Sequence, residues 1–380
     1  HGLECMMVYI RINKMKLLII TQKVDINDDL LGIYHGWVKK IAAKCESVLV
    51  VCLYKGKYDF PENVEVFSLG KEQYFDLPNF FRRLTAVFRF YKYVWKLRKK
   101  YDTVFVHMNP EYLILAGWLW KLMGKKTVLW YAHYLDNFKL RLAAPFADKI
   151  VTSTKRAFPY EIKKLTVLQQ GIDTGKFSPS KKIIKKEENS KLKIISLGRI
   201  SPVKDLETLI EAVNILKNNN FNFFLDILGE PTDKDADYFE KIKNLIINLG
   251  LSDKISLLGK ISTSQNPEVY LDYDVFINLT CTGSFDKTIL EAMSSGLLCV
   301  STTCPGSPEA IVDGTNGYLV EKSREGVYSG LQKACTLSLR ERREMGQRAR
   351  ATAEEKFDVT KNTKKIFSIF GIPFKGQIYA

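Results

Sequence analysis

Short apolar runs alternate with longer amphipathic stretches along the chain. In the first half, residues 17–20, 48–53, 103–106, 127–131 and 149–152 have the length and composition of strands. Residues 33–43, 79–99 and 111–123 between them carry helical spacing. Strands alternating with helices predict βαβ crossovers and a parallel sheet. A polar, lysine-rich stretch, residues 178–190, interrupts the pattern and reads as a linker. The alternation restarts with runs at 192–197, 223–228, 254–257, 275–278, 298–301 and 317–320, which predicts a second doubly wound sheet. The expected organisation is α/β, with Rossmann-like domains at 15–178 and 190–355 and a terminal segment at 356–380.

Composition agrees with two folded domains. The chain has 380 residues, 46% hydrophobic and 12% aromatic, enough apolar surface to offset chain entropy and too long for one ordinary core. The most apolar stretch, residues 112–123, is broken by Lys121 and falls short of the ~20 residues a membrane span needs. Seven cysteines without a CxxC pair suggest reduced thiols and a cytoplasmic location. Arg11, Lys14 and Lys16 follow the weak N-terminal apolar patch instead of preceding it, so no secretion signal is read there. Met15 reads as the start and residues 1–14 as upstream sequence.

The formal net charge of +15 is unevenly placed. Residues 1–180 hold 29 Lys/Arg against 16 Asp/Glu, whereas residues 181–380 hold 28 against 26. A basic excess in one half points to a polyanionic surface partner for that half. Segment 79–100 places Phe80, Leu84, Val87, Phe88, Tyr91, Val94 and Trp95 along one face, with basic residues around the other. Such a helix either lies in an anionic membrane interface or turns its apolar face to its own core. The expected location is thus the cytoplasm, peripheral on the inner face of the cell membrane.

In doubly wound sheets, ligands sit beyond the carboxyl ends of strands, where a helix start offers backbone N–H groups. Gly198 and Arg199 close the run at 192–197, and Lys204 follows at the start of a helix. An Arg fork and a Lys point charge can together neutralise a diphosphate, although two cations on a turn can also be ordinary surface residues. The run at 275–278 leads through a small-residue loop to a helix starting near Asp286 or Lys287, with Thr288 in its first turn and Glu291 one turn in. Anions bind such a helix start, and the Glu291 carboxylate can accept from ribose hydroxyls beside it. Glu309 follows the run at 298–301 in the loop Gly306-Ser307-Pro308-Glu309.

Gly198-Arg199 with Lys204, Leu290-Glu291-Ala292-Met293 with Gly296, Pro308-Glu309-Ala310, and Gly314-Thr315-Asn316-Gly317-Tyr318-Leu319 closely resemble the nucleotide-binding half of retaining GT-B glycosyltransferases of family 4. In the first half the resemblance extends to Gly32 before a helix, to Tyr131-Ala132-His133 at a strand end, and to Gln170-Gly171-Ile172-Asp173 with Phe177. It covers residues 15–370. The resemblance implies two facing Rossmann-like domains with a cleft between them, and a final helix, 357–370, crossing back to the first domain. It implies a retaining hexosyltransferase moving a sugar from a UDP- or GDP-type nucleotide-sugar to a saccharide or lipid-linked acceptor, in surface polysaccharide or glycolipid synthesis. The donor site would comprise Gly32, Gly198, Arg199, Lys204, Asp286, Lys287, Thr288, Glu291 and Glu309, with His133, Arg199 and Lys204 at the chemistry. His107 shares the strand-end position of His133.

One departure stands out. The family places a glutamate eight residues before the one at Glu291, where this chain has Gly283. Asp286 and Lys287 are candidates to replace it, and helix capping is the other reading of Asp286. No Asp-x-Asp pair is suitably placed, so neither metal nor a further cofactor is expected. Two rivals remain: a nucleotide- or nucleic-acid-binding module with a decayed sugar site, and a sugar-nucleotide epimerase. The chain lacks interleaved base-stacking motifs, so no nucleic-acid partner is expected.

Overall fold

A computed structural model describes residues 15–28, 32–73, 78–133, 136–169, 171–179, 191–261, 267–281, 286–304 and 306–370. Residues 1–14, most of the lysine-rich linker, Gln170 and Gly283 lie outside them. The chain divides into two compact units. The first comprises residues up to Tyr131, Asn137–Val151 and the chain from Phe367, and the second comprises Ala132–Asp136 and Thr152–Ile366. The division therefore falls near residue 151, ahead of the lysine-rich stretch, and residues 152–178 group with the second unit.

The first sheet contains β1 (Lys16–Val24), β2 (Ser47–Lys55), β3 (Val64–Ser68), β4 (Thr103–His107), β5 (Lys126–Trp130), β6 (Lys149–Thr152) and β7 (Leu165–Val167). Their spatial order is β3-β2-β1-β4-β5-β6-β7. Helices α1 (Gly32–Ala42), α2 (Asn79–Lys96), α3 (Glu111–Leu122) and α4 (Phe138–Ala143) connect them. Leu17, Leu18, Ile19 and Ile20 of β1 are all buried, as a central strand covered on both faces requires. β3 was not legible in the sequence. It is an edge strand of sequence VEVFS with no fully buried residue, so it lacks the continuous apolar run of its neighbours.

The second sheet contains β8 (Leu192–Leu197), β9 (Phe223–Leu228), β10 (Ile255–Leu257), β11 (Val275–Asn278), β12 (Leu298–Thr302) and β13 (Tyr318–Val320), in the order β10-β9-β8-β11-β12-β13. Its helices are α5 (Leu206–Asn218), α6 (Ala236–Asn248), α7 (Lys287–Ser294), α8 (Ser307–Ala310), α9 (Arg324–Thr336) and α10 (Leu339–Lys356). Alternation along the strands splits the core in two. Ile194, Val275, Ile277 and Val300 pack against α5 and α9 residues such as Val213 and Leu331. Ile195, Leu197, Phe276 and Cys299 join Leu290 and Met293 of α7 and Ala349 of α10. Pairing is parallel throughout the strand pairs with described register, for example β8 with β11 through Ile194 and Val275.

α11 (Val359–Phe370) ends the described chain, and its last residues belong to the first unit, where Phe370 meets Phe105 of β4 edge-on at 5.6 Å. Its start is held within the second unit. Ile172 N–H donates to Phe357 O and Val359 N–H to Ile172 O, both at 2.8 Å, and Thr174 Oγ1 donates to Asp358 at 2.7 Å. Gly171 permits this approach, because a Cβ there would stand 2.8 Å from Val359 Cα. Among the described residues no helix is long and apolar enough to cross a membrane.

Candidate functional site

Each sheet reverses its strand order at one place, β1 beside β4 in the first and β8 beside β11 in the second, and such switch points open a crevice at the strand ends. In the second unit β8 ends at Leu197, and Gly198 follows with φ 141°. A Cβ at Gly198 would sit 2.6 Å from Lys204 Nζ, so the glycine lets the lysine fold back over the strand end, where Nζ donates to Leu197 O at 3.4 Å. A 3-10 turn, Pro202–Lys204, sets this geometry before α5 begins.

Lys204 Nζ meets Asp286 Oδ2 at 2.8 Å, with the two side chains 16% and 18% exposed. Asp286 is also the N-cap of α7 and accepts from Thr288 N–H at 3.1 Å and Thr288 Oγ1 at 2.7 Å. Asn278, the last residue of β11, donates to Asp286 Oδ2 at 2.8 Å and fixes the loop by accepting from Thr280 N–H at 2.7 Å. Burial alone would raise the Asp286 pKa. The Lys204 ammonium and the Asn278 and Thr288 donors outweigh it and hold the carboxyl well below the usual carboxylate range. Burial lowers Lys287 to about 8 against the opposing pull of Glu291 and Asp286.

Glu291 is buried on α7, and the Tyr270 hydroxyl donates to its Oε2 at 2.6 Å. Burial and the adjacent carboxylate push the Tyr270 phenol well above its usual value, so it remains a donor. Arg199 is exposed, and its side chain makes no hydrogen bond or ion pair with another described residue. Glu309 on α8 is half-buried. Burial raises its pKa, against the smaller opposing effects of the Lys155 backbone N–H and the Arg156 charge. Gly32 opens α1 in the first unit, and His133 lies three residues beyond β5.

The structure thus joins Lys204, Asp286 and Thr288 in one network, sets Glu291 a turn further along α7, and leaves Arg199 free to meet a ligand. It revises the expectation that the α7 start offers open N–H groups, since the Thr288 N–H is taken by Asp286. Asp286 acts as the cap and as the partner of Lys204. The thiol reading is also corrected: Cys281 and Cys304 form a disulfide. They are 23 residues apart in sequence but follow β11 and β12, which are adjacent strands, so their Cα atoms are 5.3 Å apart. Cys45, Cys52, Cys299 and Cys335 are free.

Three participants escaped the sequence analysis. Asn278 carried a usable signal, a polar residue closing an otherwise apolar strand. Tyr270 carried none, since it reaches Glu291 from a 3-10 turn, Pro267–Asp272, outside any motif. The Cys281–Cys304 bond depends on strand adjacency alone. In the first unit the β1/β4 switch point is lined by Thr21, Tyr34, Trp37, Phe60, Phe105 and His107. Here the Tyr34 and His107 rings lie 3.8 Å apart and Thr21 Oγ1 is 3.4 Å from His107 Nδ1.

Residues 178–352, which carry the Lys204–Asp286 network, match the family Glycosyl transferases group 1. This region is a group 1 glycosyltransferase domain. An uncharacterized glycosyltransferase of Methanocaldococcus jannaschii is 26% identical over 63% of this chain and 62% of its own length. The putative colanic acid biosynthesis glycosyltransferase WcaL of Escherichia coli K12 is 28% identical over 52% of this chain and 48% of its own. The chain therefore spans about half to three fifths of these relatives. Among solved structures, Anabaena HepE in complex with UDP and glucose superposes with a TM-score of 0.73 at 19% identity, covering 94% of this chain and 99% of HepE. A glycosyltransferase of Rickettsia africae gives 0.74 at 16%, covering 96% and 100%. The group 1 domain and its companion have the GT-B fold of two Rossmann-like domains.

Proposed function

We propose that the protein is a retaining glycosyltransferase that takes a UDP- or GDP-type nucleotide-sugar and transfers its hexose to a saccharide or lipid-linked acceptor. The observation that carries this reading is the Lys204–Asp286 pair at the β8/β11 switch point within the group 1 domain. Asp286 fixes the Lys204 ammonium in place before a ligand arrives, and the unbonded Arg199 guanidinium supplies a planar fork beside it. Together they stabilise the negative charge that grows on a departing diphosphate, a preorganised electrostatic contribution. Glu291, oriented by Tyr270, accepts from the ribose hydroxyls. We assign Glu309 and His133 to the transferred sugar, Gly32 to donor binding and the first unit to acceptor binding. HepE was solved with UDP and glucose, and WcaL is named for colanic acid biosynthesis, which supports a nucleotide-sugar donor and a surface polysaccharide or glycolipid product.

The two cations can offset the diphosphate charge without a metal ion, so transfer is expected to proceed in EDTA. The test is a thermal-shift screen with UDP-, GDP- and ADP-sugars, followed by transfer of labelled sugar from the stabilising donor to saccharide and lipid-linked acceptors. A raised melting temperature with one nucleotide class and labelled product with retained anomeric configuration are expected. No stabilisation by any nucleotide-sugar would end this reading. Activity lost in EDTA and restored by Mg²⁺ or Mn²⁺ would overturn its metal independence.

A further inference from the structure

α2 carries two apolar stripes on different faces. Phe90 and Val94 are fully buried, and Phe90 meets Trp120 of α3 edge-on. Phe81, Leu84, Phe88 and Trp95 are each more than half exposed. At ~100° per residue these four fall within about 60° of one another and roughly 130° from the buried pair. The helix has therefore satisfied its own core with one stripe and presents a second to solvent. This divides the single apolar face expected from the sequence, in which Val94 stood beside Phe88.

The outer stripe continues onto neighbouring helices. The Tyr91 hydroxyl of α2 donates to Leu115 O of α3 at 2.7 Å, and Trp118 Nε1 donates to the same carbonyl at 2.9 Å. Trp118 is thus beside α2, and Leu122, one turn on, is 78% exposed. α4 is tied to α3 by Lys139–Glu111 at 2.8 Å, the 3-10 turn after it by Lys121 Nζ donating to Pro145 O at 2.8 Å, and α4 exposes Phe138. Charge follows the same surface. Arg82, Arg89 and Lys96 recur every seven residues along the flank of the outer stripe, and residues 79–142 hold 13 Lys/Arg against 3 Asp/Glu. Exposed apolar patches of this kind mark interaction surfaces. One-signed charge around protruding aromatic and leucine side chains matches a surface that is anionic outside and hydrocarbon beneath. Nucleic acid would satisfy the cations but offer Phe81, Phe88 and Leu122 no apolar depth.

We infer that the α2–α3–α4 face of the first unit docks on an anionic lipid bilayer, with Phe81, Phe88, Trp95 and Leu122 entering the boundary between headgroups and acyl chains and the Arg82–Arg89–Lys96 row on the headgroup phosphates. This surface is separate from the donor site and does not depend on the proposed reaction.

Co-sedimentation of the full chain with phosphatidylcholine vesicles, and with equimolar phosphatidylcholine and phosphatidylglycerol, tests it. The chain is expected to pellet with the anionic vesicles at low salt, about tenfold less with phosphatidylcholine alone, and to be released by high salt. The variant F81S/F88S/W95S should lower partitioning by about tenfold or more with UDP binding unchanged. W118S/L122S on α3 should lower it too, and stands in if the first variant fails to fold. No pelleting with anionic vesicles, equal pelleting of both variants and the parent, or pelleting only as self-associated protein without lipid would each overturn the inference. Vesicle binding retained in a chain that binds no nucleotide would leave this surface standing and remove the proposed function.

Discussion

The two units place their strand-order reversals at equivalent positions, β1 beside β4 and β8 beside β11, and line them with opposite chemistry. The first switch point is mainly aromatic, with Tyr34, Trp37, Phe60 and His107 around a pocket that the Lys23–Asp25 ion pair, at 3.5 Å, also lines. The second is ionic, with Lys204, Asp286 and Asn278 bonded across the strand ends and Arg199 exposed beside them. The shared topology supplies a crevice, and the residues at the strand ends decide what it can hold. Fixed cations suit a diphosphate, whereas the rings of the first unit pack against one another, Tyr34 on His107 and Trp37 on Trp130.

The sharpest way to break this comparison is at its ionic side. Lys204→Ala removes the fixed cation and leaves the Asp286 carboxylate without its partner, so sugar-transfer turnover should fall by about 10²–10³. If turnover stayed within a few-fold of the parent, the pair would be scaffolding and not part of the donor grip. Next comes the Cys281–Cys304 bond, which joins the loops after β11 and β12 beside the same site. C281S/C304S should lower unfolding stability by about 3 kcal/mol in a denaturant titration. Equal stability of parent and variant under oxidising conditions would show that the two loops need no tie.

The aromatic side is expected to respond differently. Trp37, edge-on to Trp130 at 5.2 Å, packs beside the first switch point. Trp37→Ala should cost roughly 2 kcal/mol of stability, since it vacates ring contacts, while UDP affinity measured by calorimetry stays at the parent value. A parallel loss of UDP affinity would mean that the two crevices are not chemically separate.

The smallest effect is a pH dependence of the ionic side. Lys287 titrates near 8 in the folded chain, below its ordinary value of 10.5. Between those values the unfolded chain holds more protons, so Lys287 makes stability rise with pH across that window. Over the same rise Lys287 loses the charge available to a diphosphate. UDP affinity should therefore weaken above about pH 8 while urea midpoints gain from this group, and K287M should flatten both profiles. Asp286 acts in the opposite range. Its depressed pKa contributes stability above the unfolded carboxylate value, near ~4, that is lost as pH falls through the folded value. Profiles in K287M identical to those of the parent would remove Lys287 from the site.

Much of this architecture was written in local patterns. Continuous apolar runs marked β1, β8 and β11 because central parallel strands are covered on both faces, and Asp286 before a helical run marked the start of α7. Gly198, Arg199, Lys204 and Glu291 stood out because strand ends and helix starts are where backbone and charge meet ligands. The sequence could not show that Lys204 would be held by Asp286, 82 residues away, or Glu291 by Tyr270 from a turn without a motif. It also could not separate the two stripes of α2, since both are apolar at helical spacing and only the packing of α3 against one of them leaves the other to solvent. Periodicity records relations a few residues apart along one element. The pairing of Cys281 with Cys304 and of Lys204 with Asp286 arises between elements, from the order in which parallel strands lie side by side, and that order was decided by the tertiary structure.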